Sequence, residues 1–276
     1  MYDAYLDALG AANASDSVYA ASAYSPITNL DHADASYEWT FGSEPYNGSL
    51  VNQTLSKELS AEFATYLASL NLTGRERFGH LTASNYANYL LETTLEPSAT
   101  RYLRALSSSA RTSYLAKNTW IHWDGRHATF TWTGFLNHVG RGKDLPAFDG
   151  FSLEHPENIE FGDTTTNARH FTLFSLRHAT GNSKTALASD LPRKIELMNP
   201  MYFLAHKNPR RARYWFLRTG TSDTDTSPVI LSDLDAINRD LGDSVNTRLY
   251  WDAGHGANQD VQAFIRWIGN ATGYAK

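Results

Sequence analysis

The chain has 276 residues, with 29 acidic against 24 basic side chains and a net charge of −5, a balance that argues against a nucleic-acid partner, since phosphate binding needs a concentrated positive face. It contains no cysteine, which excludes disulfides, thiolate metal ligands and a cysteine nucleophile within it. No apolar run approaches the ~18–20 residues of a membrane span, and Met1-Tyr-Asp-Ala has neither the basic region nor the apolar core of a signal peptide.

Tyr2, Tyr5, Leu6 and Leu9 fall at i, i+3, i+4, i+7 and predict a short helix ending near Gly10. Residues 18–24 read as a buried strand of the parallel type, stopped by Ser25-Pro26, and such a strand needs neighbours on both sides. Leu59, Phe63, Tyr66, Leu67 and Leu70 form one helical stripe. Tyr86, Tyr89, Leu90 and Thr93 begin another, which Pro97 is expected to end. Residues 120–123 and 128–132 flank Asp124-Gly125 and predict a hairpin, because Asp-Gly suits the positive-φ positions of a type I′ turn. Residues 198–206 read as a short helix. Strands over 213–219 and 247–252, each followed by a loop and a helix, close the chain. In the last helix Val261, Phe264, Ile265 and Ile268 make an apolar stripe, with Asn258 as the expected N-cap and Asp260 in the first turn.

The chemistry-bearing residues stand after the last two strands. Asp223 follows the first and His255 the second, an acid-then-histidine order that fits the last two members of a Ser-Asp-His triad on an α/β sheet. Each residue alone also fits a plainer role, Asp223 as a helix cap and His255 as an ordinary loop histidine. No Gly-x-Ser-x-Gly elbow occurs in the chain, and only three sheet strands are legible. The missing strands and elbow are expected upstream of Met1. His32, His122, His127 and His170 show no metal-ligand spacing, and Gly181-Asn-Ser-Lys-Thr185 lacks the upstream glycine of a phosphate loop, so neither a metal nor a cofactor is expected. The basic run Arg210-Arg-Ala-Arg213 reads as a solvated loop or helix end, and five Asn-x-Ser/Thr sequons, at Asn13, Asn47, Asn52, Asn71 and Asn270, are expected by chance.

Four stretches resemble bacterial tannases, tannin acyl hydrolases of the α/β-hydrolase fold related to feruloyl esterases. They are residues 22–34 with Tyr37-Glu-Trp39, Arg141-Gly-Lys143-Asp-Leu-Pro-Ala-Phe-Asp149 followed by Glu157-Asn158, Arg218-Thr-Gly-Thr-Ser-Asp223-Thr-Asp225, and Gly254-His255-Gly256. The resemblance covers essentially the whole chain and implies that roughly the first 40% of a full-length enzyme, with the serine elbow and oxyanion hole, is not included. It implies the C-terminal part of an α/β-hydrolase core (residues 1–30 and 200–276) carrying an inserted mixed helical lid domain with a β-hairpin (residues 31–199).

By the same resemblance Asp223 is the triad acid and His255 the general base, while Lys143, Glu157 and Asp225 contact the three hydroxyls of a galloyl group. Phenol O–H groups donate well to carboxylates, and an ammonium donates to a phenolic oxygen. In an extended Asp223-Thr-Asp225 loop the two acids would point opposite ways and serve separate tasks. The implied activity is hydrolysis of galloyl esters, with a galloyl ester or gallic acid as ligand and an N-terminal fragment carrying the serine as a partner. A feruloyl or other aromatic-acid esterase is the nearest alternative. A non-catalytic galloyl-binding or partner-dependent subunit is the alternative of another class.

Overall fold

A computed structural model describes residues 7–8, 10–12, 17–206 and 209–274; the four residues of the helix expected before Gly10 lie outside these. β1 (Ala20–Tyr24) leads through a 3-10 turn to α1 (Ala33–Phe41) and α2 (Gln53–Leu70). The Asn52 side chain caps α2 by accepting from the backbone N–H groups of Thr54 and Leu55, and Leu59, Phe63 and Leu67 of the expected stripe are buried.

α3 (Tyr86–Leu90), a π-helical segment (Leu91–Leu95) and α4 (Glu96–Ala105) form one continuous helical run. Pro97 therefore does not end the helix, contrary to expectation. The Glu96 N–H reaches back five residues to the Leu91 carbonyl. This wider turn restarts the α-helix with Pro97 in its first turn, where a missing N–H costs nothing.

α5 (Ser108–Lys117) and α6 (Trp132–Val139) flank an antiparallel ladder of only two residues per strand, His122–Trp123 against Ala128–Thr129. Its turn is not type I′. Gly125 takes a positive φ but Asp124 does not, and the Asp124 carboxylate instead accepts the backbone N–H groups of Arg126 and His127, making a four-residue loop. Trp132 belongs to α6 and not to a strand.

α7 (Pro156–Glu160), α8 (Leu173–Thr180), α9 (Leu191–Met198) and α10 (Pro200–Ala205) lead to β2 (Tyr214–Gly220), α11 (Pro228–Asp240), β3 (Ser244–Tyr250) and α12 (Val261–Thr272). The three long strands form a parallel sheet in the order β1-β2-β3, with Tyr24 opposite Arg218 and Gly220 opposite Tyr250. The fold class is thus α/β, with a long, mostly helical segment between β1 and β2. The basic run before β2 is not simply solvated, since Arg211 and Arg213 both pair with the buried carboxylate of Asp243.

α11 joins the two halves of the chain. Pro228 through Asn238 are all buried, and two of the acidic members, Asp233 and Asp235, are paired from other parts of the chain. Tyr86 donates to Asp233 at 2.5 Å, while Asp235 pairs with Arg75 at 3.1 Å and accepts the Thr247 hydroxyl at 2.6 Å. One apolar core runs from Leu30 through α2, α3, α4 and α6 to α11 and Trp251.

The two outer elements depart from expectation. Strand β1 begins at Ala20; Val18 and Tyr19 are exposed, and β1 itself is mostly half-buried, because among the described residues it pairs only with β2. On α12 the stripe of Val261, Ile265 and Ile268 faces outward, at 51%, 55% and 38% exposure. The sheet is met instead by Phe264, which packs edge-on against Tyr24 and Phe216, and by Trp267. The helix carries apolar residues on two faces, and periodicity alone cannot say which one the sheet takes. Asp260, not Asn258, precedes the helix, and no side chain caps it. Asp260 is engaged by the fully buried Arg218, at 2.9 Å, and by the Tyr250 hydroxyl. Burial opposes its charge, but these bonds hold its carboxyl below the ordinary range.

Candidate active site

The loops leaving the C-terminal ends of β2 and β3 cross at Gly220. A Cβ there would lie 1.9 Å from the Ala253 carbonyl oxygen, so only glycine permits the approach. The crossing is fixed by the Ser222 N–H donating to the same Ala253 carbonyl at 3.0 Å. It brings Asp223 and His255 together, with Nδ1 of the imidazole 3.1 Å from Asp223 Oδ1.

Asp223 is completely buried at its side chain. Oδ1 also accepts the backbone N–H groups of Asp225 and Thr226, each at 2.9 Å, and Oδ2 accepts the Thr219 hydroxyl at 2.9 Å. Burial pushes this carboxyl up, but the Ser25 hydroxyl, the two N–H groups and Thr219 outweigh it and hold it below the ordinary carboxylate range. An anionic acid on Nδ1 selects the tautomer that leaves Nε2 free to take a proton.

The loop wraps around Asp223 and is not extended, so the two acids do not point opposite ways as expected. Asp225 Oδ2 comes within 3.8 Å of the same His255 Nδ1. Its other oxygen lies 2.9 Å from Lys143 Nζ, and Lys143 is in turn 3.7 Å from Glu157 Oε1. All five candidate residues therefore sit in one connected cluster. Asp223, Asp225 and His255 are also close enough to share a cation, but the ammonium of Lys143 already pairs with Asp225. Lys143 stands over the Phe148 ring, 4.2 Å from its centroid. Glu157 is buried, and its Oε2 has no hydrogen-bond partner among the described residues. A buried carboxylate oxygen without a donor is costly.

The Lys143 loop hangs from α1. Tyr37 Oη accepts the backbone N–H groups of Gly142 and Lys143, both at 2.9 Å. Asp34 accepts those of Phe148 and Asp149, at 2.7 and 3.0 Å. Glu38 pairs with the buried guanidinium of Arg141, which donates to the carbonyls of Lys143 and Asp144. Asp149 accepts from Asn158 at 2.7 Å and His170 at 2.8 Å, tying the loop to α7 beside Glu157. Burial pushes Asp34 up to about 7.

Asp34, Tyr37, Glu38, Arg141 and Asp149 stand in the sequence only as members of the motif stretches, with no individual role legible there. The spacing of Asp34, Tyr37 and Glu38 at i, i+3, i+4 was the available signal for a polar helix face. Ser25 gave no signal. A separate open cavity of about 1040 Å³, lined among others by His32, Tyr66, Phe171 and His178, includes none of the five candidate residues.

No family model matches the chain, and no curated protein matches it in sequence. Solved structures do. Tannin acyl hydrolase from Lactobacillus plantarum superposes with a TM-score of 0.82 at 32% identity, over 98% of this chain and 60% of that one. Fusobacterium nucleatum tannase gives 0.79 at 29%, over 98% and 62%. A tannin acyl hydrolase in complex with ethyl gallate gives 0.79 at 30%, over 98% and 60%. The chain is thus similar to tannases along nearly its whole length, as its motifs implied, and spans about 60% of theirs.

Proposed function

We propose that this chain supplies the acid, the base and the acyl-recognition groups of a galloyl-ester hydrolase, the serine nucleophile coming from polypeptide outside this sequence. The observation that carries the reading is the convergence of Lys143, Glu157 and Asp225 on the Asp223–His255 pair. The similarity to tannases over 98% of the chain supports it.

In the proposed reaction a galloyl ring sits over the Lys143–Glu157–Asp225 cluster. Glu157 Oε2 and Asp225 accept phenolic O–H groups, and Lys143 donates to a phenolic oxygen. A site built on such bonds rejects acyl groups lacking the hydroxyls, which would leave its own polar groups unpaired. His255, oriented by Asp223, takes the serine proton through Nε2 as the seryl oxygen attacks the ester carbonyl. It returns that proton to the departing alcohol, and then activates water against the seryl ester. Residues 31–199 act as the lid over the site; 1–30 and 200–276 belong to the α/β core. The serine-bearing polypeptide is expected to pair with the open side of β1, whose neighbour on that side is absent among the described residues.

The test is complementation. The chain alone should not release gallate from methyl gallate, and mixing or co-expressing it with a polypeptide carrying a serine elbow should restore turnover. In the restored assembly Asp223→Ala and His255→Ala should each lower kcat by roughly 10³–10⁴. Gallate release by the purified chain alone, or full activity in His255→Ala, would overturn the reading.

The second reading is a galloyl-binding subunit without turnover, favoured by the absence of any Gly-x-Ser-x-Gly sequence. Gallate binding by calorimetry together with failed complementation would select it.

A further inference from the structure

We propose that Asp252 is a positioning residue for His255, its carboxylate tying the histidine loop to Tyr114 of α5 and His138 of α6. The proposal rests on the reading of His255 as the general base.

The loop leaving β3 needs an anchor close to that histidine. Gly254 and Gly256 flank His255, and glycine gives up more backbone freedom on ordering than any other residue. The imidazole is 41% exposed at its side chain, so its place depends on the backbone that carries it. Beyond the histidine, the Gly256 N–H donates to Ser25 Oγ at 2.9 Å. Before it, the anchor is Asp252. The backbone there lies in the left-handed region, with a φ of 55°, where aspartate and asparagine are among the few tolerated non-glycine residues. Its N–H donates to Thr221 Oγ1 at 2.9 Å, in the loop that goes on to Asp223.

What aspartate adds at this position is a carboxylate with a donor at each oxygen. His138 Nε2 lies 2.7 Å from Oδ1, and the Tyr114 hydroxyl donates to Oδ2 at 2.6 Å. The same tyrosine oxygen accepts the indole N–H of Trp251 at 2.7 Å. An exposed pair between long, mobile side chains contributes little, but these partners are held beforehand. The His138 ring lies parallel to the Trp251 indole, at an interplanar angle of 5°, and packs against Trp120. Tyr114 packs edge-on against Tyr102. Little side-chain freedom is therefore lost in forming either bond. Two helices of the segment 31–199 thus help to fix where the base stands.

Substitutions at His138 separate the bond from the packing. His138→Phe keeps an aromatic ring against Trp120 and Trp251 and removes the donor. His138→Gln loses the ring and keeps an N–H near the place of Nε2. Hydrogen exchange of the purified chain, read by mass spectrometry on a peptide spanning 251–257, follows opening of the loop. It should rise at least about fivefold in His138→Phe, the equilibrium effect of one ordinary hydrogen bond. It should rise less in His138→Gln, and α2 should exchange as in the unmodified chain. With Asp252→Gly as the background, which suits the left-handed backbone and removes the carboxylate, the two His138 variants should no longer differ. In the complemented enzyme His138→Phe should lower kcat on methyl gallate and methyl benzoate by a similar factor and leave KM unchanged.

Unchanged loop exchange in His138→Phe overturns the proposal. A larger rise in His138→Gln overturns it as well, since packing would then be the cause, and so does an equal rise in α2, which would mean a general loss of stability. A difference between the two variants that persists with Asp252→Gly removes Asp252 from the account. Faster loop exchange with undiminished kcat overturns the positioning role. If no complemented assembly turns over, the acid–base reading itself fails, and loop exchange still decides whether Asp252 holds the loop.

Discussion

Lys143 and His255 meet at one carboxylate: Asp225 presents Oδ1 to the ammonium at 2.9 Å and Oδ2 to imidazole Nδ1 at 3.8 Å. On the proposed reading, the group that neutralises the recognition cation is the same group that could draw the base away from Asp223. Lys143 does two things at once. On the proposed reading it faces the acyl pocket, and its ion pair with one oxygen of Asp225 competes with His255 for that carboxylate.

Lys143 and Glu157 variants should therefore fail differently in a complemented enzyme. Glu157→Gln should weaken galloyl esters by about 1.5–3 kcal/mol in kcat/KM, the worth of a hydrogen bond to a charged group, and spare benzoyl esters. Lys143→Ala should lose a similar amount on galloyl esters and also lower kcat on benzoyl esters, because the released Asp225 competes for Nδ1. Steady-state kinetics on methyl gallate and methyl benzoate decide it; identical profiles for the two variants would contradict the shared role of Asp225.

Gly220→Ala should break the loop crossing. The new Cβ would meet the Ala253 carbonyl at 1.9 Å, which backbone on both sides must yield to accommodate. A stability loss of about 1–3 kcal/mol or more is expected from overpacking of this kind, read by urea unfolding. The Asp223–His255 bond should be lost even in the fraction that stays folded.

Stability should fall as pH rises from the acid range to neutrality. Burial raises Asp233 from 3.8 to about 7 in the folded chain. The folded state therefore holds a proton that the unfolded state has released. Its contribution is complete below about 3.8 and is lost as pH climbs to about 7. Asp233→Asn should flatten that part of the Tm profile, at some cost at its low-pH end. A parallel profile in the variant would assign the slope elsewhere, Asp34 being the other buried acid raised to about 7.

The outward stripe of α12 should drive self-association. Ile265→Glu and Ile268→Lys change exposed positions and should shift the chain toward monomer in sedimentation velocity with at most about 0.5 kcal/mol change in stability. Phe264→Ala, on the face that meets Tyr24 and Phe216, should cost about 3–5 kcal/mol.

The sequence made β2, β3 and the residues that follow them readable, because each strand is a short apolar run closed by turn-forming residues. Asp223 and His255 were legible for the same reason: their place depends on one strand and one loop each. The convergence of Asp225 on His255 was not, since it arises from the loop wrapping its own backbone around Asp223. Pro97 misled because a π turn upstream removed the demand for its N–H. The partners of Asp34, Tyr37 and Glu38 lie more than 100 residues away, and Ser25 meets Gly256 across 231. Local pattern carries no information at such separations. The face of α12 was undetermined because both faces are apolar.

The attachment of residues 141–149 to α1 has a consequence for how acyl preference can change. Tyr37 and Asp34 accept from the N–H groups of the loop, and Arg141 donates to its carbonyls. The side chain at position 143 takes no part in any of these attachments. A different residue there would inherit the same stage, at the same height above Phe148 and opposite Glu157. On the proposed reading, selectivity for the acyl ring is in this sense a replaceable tip on a fixed mount, open to alteration at one residue so long as the new side chain still engages Asp225 and keeps it from His255.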